Sequence, residues 1–113
     1  MHIVLTAKSD ELASGLRSKI INRFSSDAKW KYRTFSASEE YIYSDTADNF
    51  ISSDRPSLLF ILEQEKDTVT FFSAGFRDAR KADFVLCCTH IGSLTEMLLS
   101  NFYDDFIRFE IIK

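Results

Sequence analysis

Residues 57–73 read SLLFILEQEKDTVTFFS, and this stretch decides the fold. Its first part, Ser57–Glu63, is apolar at both odd and even positions, which is typical of a strand buried on both faces of a sheet. Its second part, Thr68–Ser73, is rich in β-branched and aromatic residues, and the polar run EQEKD joins the two. We therefore predict an antiparallel hairpin whose first strand is central in the sheet.

The N-terminal part of the chain predicts a strand followed by a helix. Ile3 and Leu5 alternate with neighbouring residues, as in a strand with one more strongly apolar face. Ser9 is placed to cap a helix over Asp10–Phe24, whose first turn is acidic. The apolar residues of that helix recur every four positions, at Leu12, Leu16, Ile20 and Phe24.

Three further strands and a second helix follow from the same patterns. The run KWKYRTFSA, residues 29–37, alternates cations with rings and predicts a strand with one wet face, extended further near Glu40–Tyr43. The run FVLCC, Phe84–Cys88, is apolar throughout and predicts a buried strand. Ser93 and Glu96 then form a capping box for a helix over Leu94–Phe102, and FIRFEII, residues 106–112, alternates as the last strand.

These elements predict the α+β class. We expect a single globular domain over residues 1–113, in which two main helices pack on a mixed or mainly antiparallel sheet of about five strands. The chain has 113 residues, 45% of them hydrophobic, which suffices for one core. No stretch is long or apolar enough for a signal peptide or a membrane span, so we expect a cytoplasmic protein with reduced thiols.

The segment DFVLCCTHIGSL, residues 83–94, raises the question of a metal site or a thiol nucleophile. On a strand, Cys87 would point away from Cys88 and His90, and these residues do not supply the four ligands of a structural zinc site. We therefore predict no metal and interpret both cysteines as small buried hydrophobes. His90 and Ser93 would lie at a helix start, where backbone amides can receive an anion, so a ligand-sensing or regulatory domain is one alternative function.

The basic and aromatic stretch KWKYR, residues 29–33, raises a second alternative, nucleic-acid binding. On a strand its cations and its rings lie on opposite faces, so both do not easily contact the same nucleotides. The chain is also acidic overall, with a net charge of −3, whereas nucleic-acid-binding domains are usually basic. Nucleic acid is therefore a disfavoured partner.

No short motif of catalysis is present in the sequence. The phosphate-binding, nucleophile-elbow, dinucleotide and zinc-protease signatures are all missing, and Asp104 and Asp105 are explained by a turn. We therefore predict that the protein is not an enzyme and has no cofactor.

The charge distribution supplies the functional hypothesis. Residues 1–37 hold seven Lys and Arg against three Asp and Glu, and residues 38–113 hold seven against fourteen. The run SEEYIYSDTADNFISSD, residues 38–54, has five acidic residues and no Lys or Arg, with rings among the carboxylates. A field of this kind attracts a basic protein, and tyrosines anchor interfaces. We predict a partner-binding surface made by Glu39, Glu40, Tyr41, Tyr43, Asp45 and Asp48.

A small protein with such a surface can inhibit a basic enzyme by covering its active-site cleft. Immunity proteins neutralise cationic toxin nucleases in this way. We therefore interpret the sequence as a non-enzymatic protein-binding module of the inhibitor or immunity type, whose partner is a basic protein such as a toxin or an enzyme.

Overall fold

A computed structural model of the protein describes residues 1–36, 39–45, 50–52, 55–56, 58–75 and 81–112. The elements in chain order are strand β1 (His2–Thr6), helix α1 (Asp10–Ser26), strands β2 (Trp30–Ser36), β3 (Glu39–Ser44), β4 (Phe50–Ser52), β5 (Arg55–Pro56), β6 (Leu58–Glu65) and β7 (Thr68–Gly75), helix α2 (Lys81–Phe102), a 3₁₀ turn (Tyr103–Asp105) and strand β8 (Arg108–Ile112).

The main sheet has six strands in the order β2-β3-β6-β7-β1-β8, and every neighbouring pair is antiparallel. Strands β4 and β5 form a separate two-stranded ribbon. The predicted α+β class is therefore confirmed, with one strand more than the expected number in the sheet. The N-terminal strand β1 lies between β7 and β8, so both ends of the described chain join the same half of the sheet.

The hairpin that the sequence predicts is present at the centre of the sheet. Strand β6 pairs with β7 from Leu58 opposite Gly75 to Glu65 opposite Thr68, and it pairs with β3 on its other side. The turn consists of Lys66 and Asp67, and Lys66 has a φ of 54°. A positive φ in a tight turn matches the right-handed twist of the flanking strands. The first predicted residue of the strand, Ser57, lies outside the described residues.

Both helices pack on one face of the sheet. The main core contains side chains of α1 and α2 together with alternate residues of the strands, among them Leu5, Ile42 and Phe71, each fully buried. The opposite face has a second, smaller cluster of Tyr41, Tyr43 and Leu59. The molecule therefore has two layers, with the helices covering one side of the sheet.

Helix α1 begins at the predicted residue. The Ser9 hydroxyl accepts a hydrogen bond from the Leu12 amide at 3.1 Å, as an N-cap does. Leu16, Ile20 and Phe24 are buried as expected, but Leu12 is 53% exposed and Ala13 is buried in its place. Four residues exceed one helical turn by about 40°, so a four-residue repeat drifts off the buried face within a few turns.

Helix α2 corrects the prediction for the C-terminal half. The structure places Phe84–Cys88 in a helix that runs without interruption from Lys81 to Phe102, and not in a strand. Ser93 therefore lies in the middle of a helix and does not cap one. The buried residues Ile91, Leu94, Leu98 and Phe102 are spaced by three or four residues, as on one helix face.

The basic strand and its neighbour form a hairpin at one edge of the sheet. Strand β2 confirms the alternation of the sequence, because Trp30 is buried and Arg33 is exposed. The extended residues Glu40–Tyr43 are not a continuation of that strand. They belong to β3, which turns back and pairs with β2 from Trp30 opposite Ser44 to Ser36 opposite Glu39.

One carboxylate fixes the backbone where the chain enters β2. Asp27, at the end of α1, accepts hydrogen bonds from the amides of Lys29 and Trp30, both at 2.8 Å. The Trp30 hydrogen bond is the main cause that lowers the pKa of Asp27, since it stabilises the ionised form. Asp27 therefore fixes the direction in which the chain leaves the helix and enters the sheet.

Candidate functional site

The predicted acidic surface lies along strand β3, where it does not form one continuous patch. Glu39 is at the start of the strand and Asp45 follows its end, which separates the two exposed carboxylates by about 20 Å of extended chain. Glu40 points to the opposite face from Tyr41 and Tyr43, because side chains alternate. Asp48 lies outside the described residues.

The two tyrosines of this surface are buried. Tyr41 is 8% exposed and Tyr43 is 4% exposed, and their rings stack on each other with centroids 5.9 Å apart. The guanidinium of Arg33 lies 5.8 Å from the centroid of Tyr43, and burial raises the pKa of this phenol. The prediction treated such rings as interface anchors, but burial in the second cluster leaves little of either ring for a partner.

The Glu40 side chain is partly buried and pairs with a residue of the same chain. Its carboxylate forms an ion pair with Arg17 of α1, on the helix side of the sheet. Burial raises the pKa of the neighbouring Tyr32 phenol, and the negative charge of Glu40 raises it further. Glu40 therefore joins α1 to β3, and a substitution there would change packing as well as surface charge.

The structure brings four carboxylates from two distant parts of the chain to one end of the sheet, three on the open face and Glu40 on the helix side. Strand β3 pairs with β6 through Tyr41 opposite Ile61 and Ile42 opposite Phe60. Glu39 and Glu63 each lie two residues beyond the pair of Tyr41 and Ile61, so strand alternation places both side chains on the open face at the same end of the two strands. Glu40, Glu63 and Glu65 line one shallow groove with Arg17. We call Glu39, Glu40, Glu63 and Glu65 the acidic end of the sheet.

Glu63 and Glu65 lie outside the acidic segment of residues 38–54 from which the site was predicted. They belong to the polar run EQEKD, whose pattern predicts a turn and not a binding site. Their proximity to Glu39 depends on the pairing of β3 with β6, and no local pattern encodes that pairing. An excess of acidic residues in the hairpin run was the available signal.

The basic strand β2 separates its cations from its rings, as the sequence predicts. Trp30 is 3% exposed, and its ring lies 5.8 Å from that of Phe24 and 6.3 Å from that of Phe60 in the core. Lys31 and Arg33 are opposite Tyr43 and Tyr41 of β3. The Trp30 ring is therefore committed to the core and does not offer a surface on which a base could stack.

His90 and Ser93 are close to each other, but the helix start that motivated a ligand site there is absent. Both residues lie within α2, where backbone amides donate to carbonyls four residues earlier. His90 is 6% exposed, and the Ser93 hydroxyl is 2.9 Å from the Lys29 ammonium, which donates a hydrogen bond to it. The amides at Gly92 and Ser93 are thus not available to an anion.

Cys88 is also placed differently from the prediction. It is a free, exposed cysteine on α2, whereas the sequence analysis interpreted it as buried. Residues two apart on a helix point in nearly opposite directions, which explains why Cys88 is exposed while His90 is buried. The side chain of Cys87 lies outside the described part of the structure.

We expect Cys88 to react readily with a maleimide in the folded protein. The measurement uses a Cys87→Ser variant, in which Cys88 is the one remaining thiol of the two in the chain. Its labelling rate in buffer is expected to be within about tenfold of the rate in urea, because an exposed thiol gains little from unfolding. Labelling in buffer that is slower by more than roughly a hundredfold would mean that Cys88 is buried after all.

No group of three or more metal-binding side chains occurs among the described residues. Within the same residues, no helix combines the length and the apolar character that a membrane span requires.

Comparisons with known proteins find no relative. The chain matches no family model, no curated protein and no solved structure. The functional conclusion therefore depends on the residues and their geometry alone.

Proposed function

We propose that the protein acts by binding a basic protein and not by catalysis, as a small inhibitor of the immunity type. The partner would contact the acidic end of the sheet, with Glu39, Glu63 and Glu65 as its principal charges. The exposed Asp45, at the other end of β3, would add to the long-range attraction. A cationic nuclease toxin is the class of partner that this arrangement fits.

The proposal depends on one observation, which is that Glu39, Glu63 and Glu65 have no ion-pair partner among the described residues. Among the described residues, Glu40 is the member of this cluster that forms an ion pair, with Arg17. Glu63 and Glu65 are exposed, as is Glu39, and no ion pair in the described part of the chain reaches any of them. Glu39 and Glu63 lie on neighbouring strands, and Glu65 lies two residues beyond Glu63 on the same face of β6, so these like charges repel one another.

This repulsion does not help the protein to fold. Like charges placed opposite each other in a sheet destabilise it by a few tenths of a kcal/mol, up to about 1 kcal/mol. Basic groups of a partner would remove the repulsion and would also be drawn to the cluster from a distance. Uncompensated carboxylates at the end of the sheet are therefore suited to rapid association with a cationic surface.

Reversal of one charge at the acidic end tests the proposal. The immobilised full-length chain would capture its partner from the native cell extract at low and then at moderate salt, and the captured protein would be measured for association kinetics. We expect Glu63→Lys to slow association about tenfold at low salt and to reduce the salt dependence, with a much smaller effect on dissociation.

Glu96→Lys is the matched control. Glu96 is exposed on α2, and its reversal changes the net charge of the protein by the same amount. The proposal requires that this variant binds nearly as the wild type does. Equal weakening by both reversals would indicate a general charge effect, and failure of the wild-type chain to capture any basic protein would contradict the proposed function.

A further inference from the structure

Strand β8 forms one edge of the sheet, and it is less protected than the other edge. The sheet ends in β2 on one side and β8 on the other. Strand β2 carries Lys31 and Arg33, and cations on an edge strand oppose pairing with another chain. Strand β8 has one charge of each sign, Arg108 and Glu110, and its remaining residues are apolar.

Exposed apolar side chains are concentrated along this edge. Tyr103 is 69% exposed, Ile107 is 62% exposed and Ile111 is 49% exposed, and Ile112 is exposed as well. Leu12 of α1, which is also exposed, lines a groove with Ile107 beside the strand. Most of the large exposed hydrophobic side chains in the described structure therefore lie on or beside β8, as at an interface.

The backbone of β8 has groups that point away from the sheet. The Ala7 amide donates to the Asp67 carbonyl at 2.8 Å, and the Ser73 amide donates to the Met1 carbonyl at 3.2 Å. The backbone amide and carbonyl groups of odd-numbered β1 residues therefore point toward β7, and those of even-numbered residues point toward β8. Arg108 and Glu110 are opposite Thr6 and Val4, so their backbone groups point inward, toward β1. The amide and carbonyl groups of Phe109 and Ile111 point outward, and no strand of the described structure pairs with them there.

We propose that β8 pairs antiparallel with β8 of a second copy of this chain, about a twofold axis at Phe109. The two sheets then join into one continuous antiparallel sheet across the dimer. This interface is separate from the acidic end of the sheet, and it does not depend on the proposed function.

The sequence around Phe109 is self-complementary in this register. Arg108 and Glu110 form an ion pair within one chain at 2.9 Å, and in this register each also faces its opposite charge in the second copy, so four charges of alternating sign meet around the axis. Ile107 precedes β8 and its amide donates to the Thr6 carbonyl of its own chain at 2.8 Å, but its exposed side chain adds an apolar surface beside Ile111 of the second copy. Registers centred on Arg108 or Glu110 would bring like charges face to face. A twofold axis requires such self-complementarity, and an unrelated partner does not.

Sedimentation equilibrium of the purified full-length chain over a range of concentrations tests the proposal. We expect a reversible dimer. Arg108→Glu and Glu110→Arg should each raise the dimer dissociation constant about tenfold, because each brings like charges together twice. The double variant, which exchanges the two charges, restores both pairs and should dimerise within about threefold of the wild type.

Ile111→Pro gives a second test that does not involve charge. Proline removes an outward amide and leaves the ladder between β1 and β8 intact, so the variant should remain folded by circular dichroism and become monomeric. A wild-type chain that stays monomeric at every soluble concentration would overturn the proposal. So would a dimer that Ile111→Pro leaves unchanged, since it would use another surface, or a different protein bound at β8 while the purified chain is monomeric.

Discussion

Replacement of Phe71 by alanine is expected to lower the free energy of unfolding by about 3–5 kcal/mol, as truncation of a buried ring does. Phe71 is fully buried in the main core, opposite Ile3 of β1 and Leu62 of β6. It therefore connects the hairpin to the N-terminal strand, and the cavity left by the ring would lie between them. Urea unfolding monitored by circular dichroism measures the loss.

Phe72 is the matched control for this substitution. It is the next residue on the same strand and points to the opposite face, where its ring lies 5.0 Å from that of His2 and is partly exposed. We expect Phe72→Ala to cost about 1–2 kcal/mol, because less of the ring is removed from water. Equal losses in the two variants would contradict the assignment of the helices to one face of the sheet.

Replacement of Ser93 by proline is expected to cost about 3 kcal/mol or more. In a helix that continues from Lys81 to Phe102, the Ser93 amide donates to the carbonyl four residues earlier, and the proline ring clashes with that carbonyl. At a helix start the same amide has no partner within the helix, so proline would cost only the lost N-cap hydroxyl, about 1 kcal/mol. Urea unfolding of Ser93→Pro therefore distinguishes a continuous helix from the start that the sequence predicts.

Two alanine variants provide controls that leave the helix intact. Gly92→Ala should stabilise the protein by about 0.5–1 kcal/mol, since glycine is a poor helix former and nothing lies within 4 Å of an added Cβ. Ser93→Ala should be nearly neutral, whereas loss of an N-cap hydroxyl costs about 1 kcal/mol. Similar losses of about 1 kcal/mol from Ser93→Ala and Ser93→Pro would restore the helix start and, with it, the ligand site near His90.

The central hairpin and the first helix could be predicted from the sequence because each depends on residues that are close together in the chain. The hairpin of β6 and β7 follows from two β-rich runs joined by a polar turn, and α1 follows from its cap and its apolar repeat. Neither requires knowledge of distant residues. Even there the periodicity gave an incorrect face for Leu12, because a four-residue repeat is slightly longer than a helical turn.

The strand predicted for the run FVLCC was the main error in the predicted fold. Five consecutive apolar residues have no period, so they are compatible with a buried strand and with a helix. A strand over Phe84–Cys88 implies a helix start near Ser93, and the predicted burial of Cys88 and the predicted anion site near His90 both depend on that strand. The physical reason is that periodicity needs polar positions to reveal which face is buried.

The sequence by itself determined the fold class, the central hairpin, the first helix and the segregation of charge along the chain. The tertiary structure decided which charges share a region of the surface, because Glu39 and Glu63 come to the same end of the sheet only through the pairing of β3 with β6. It also decided that Tyr41 and Tyr43 are buried and that β8 is an edge. Strand order and burial on the second face of a sheet depend on contacts between residues far apart in the chain, and a local pattern does not record them.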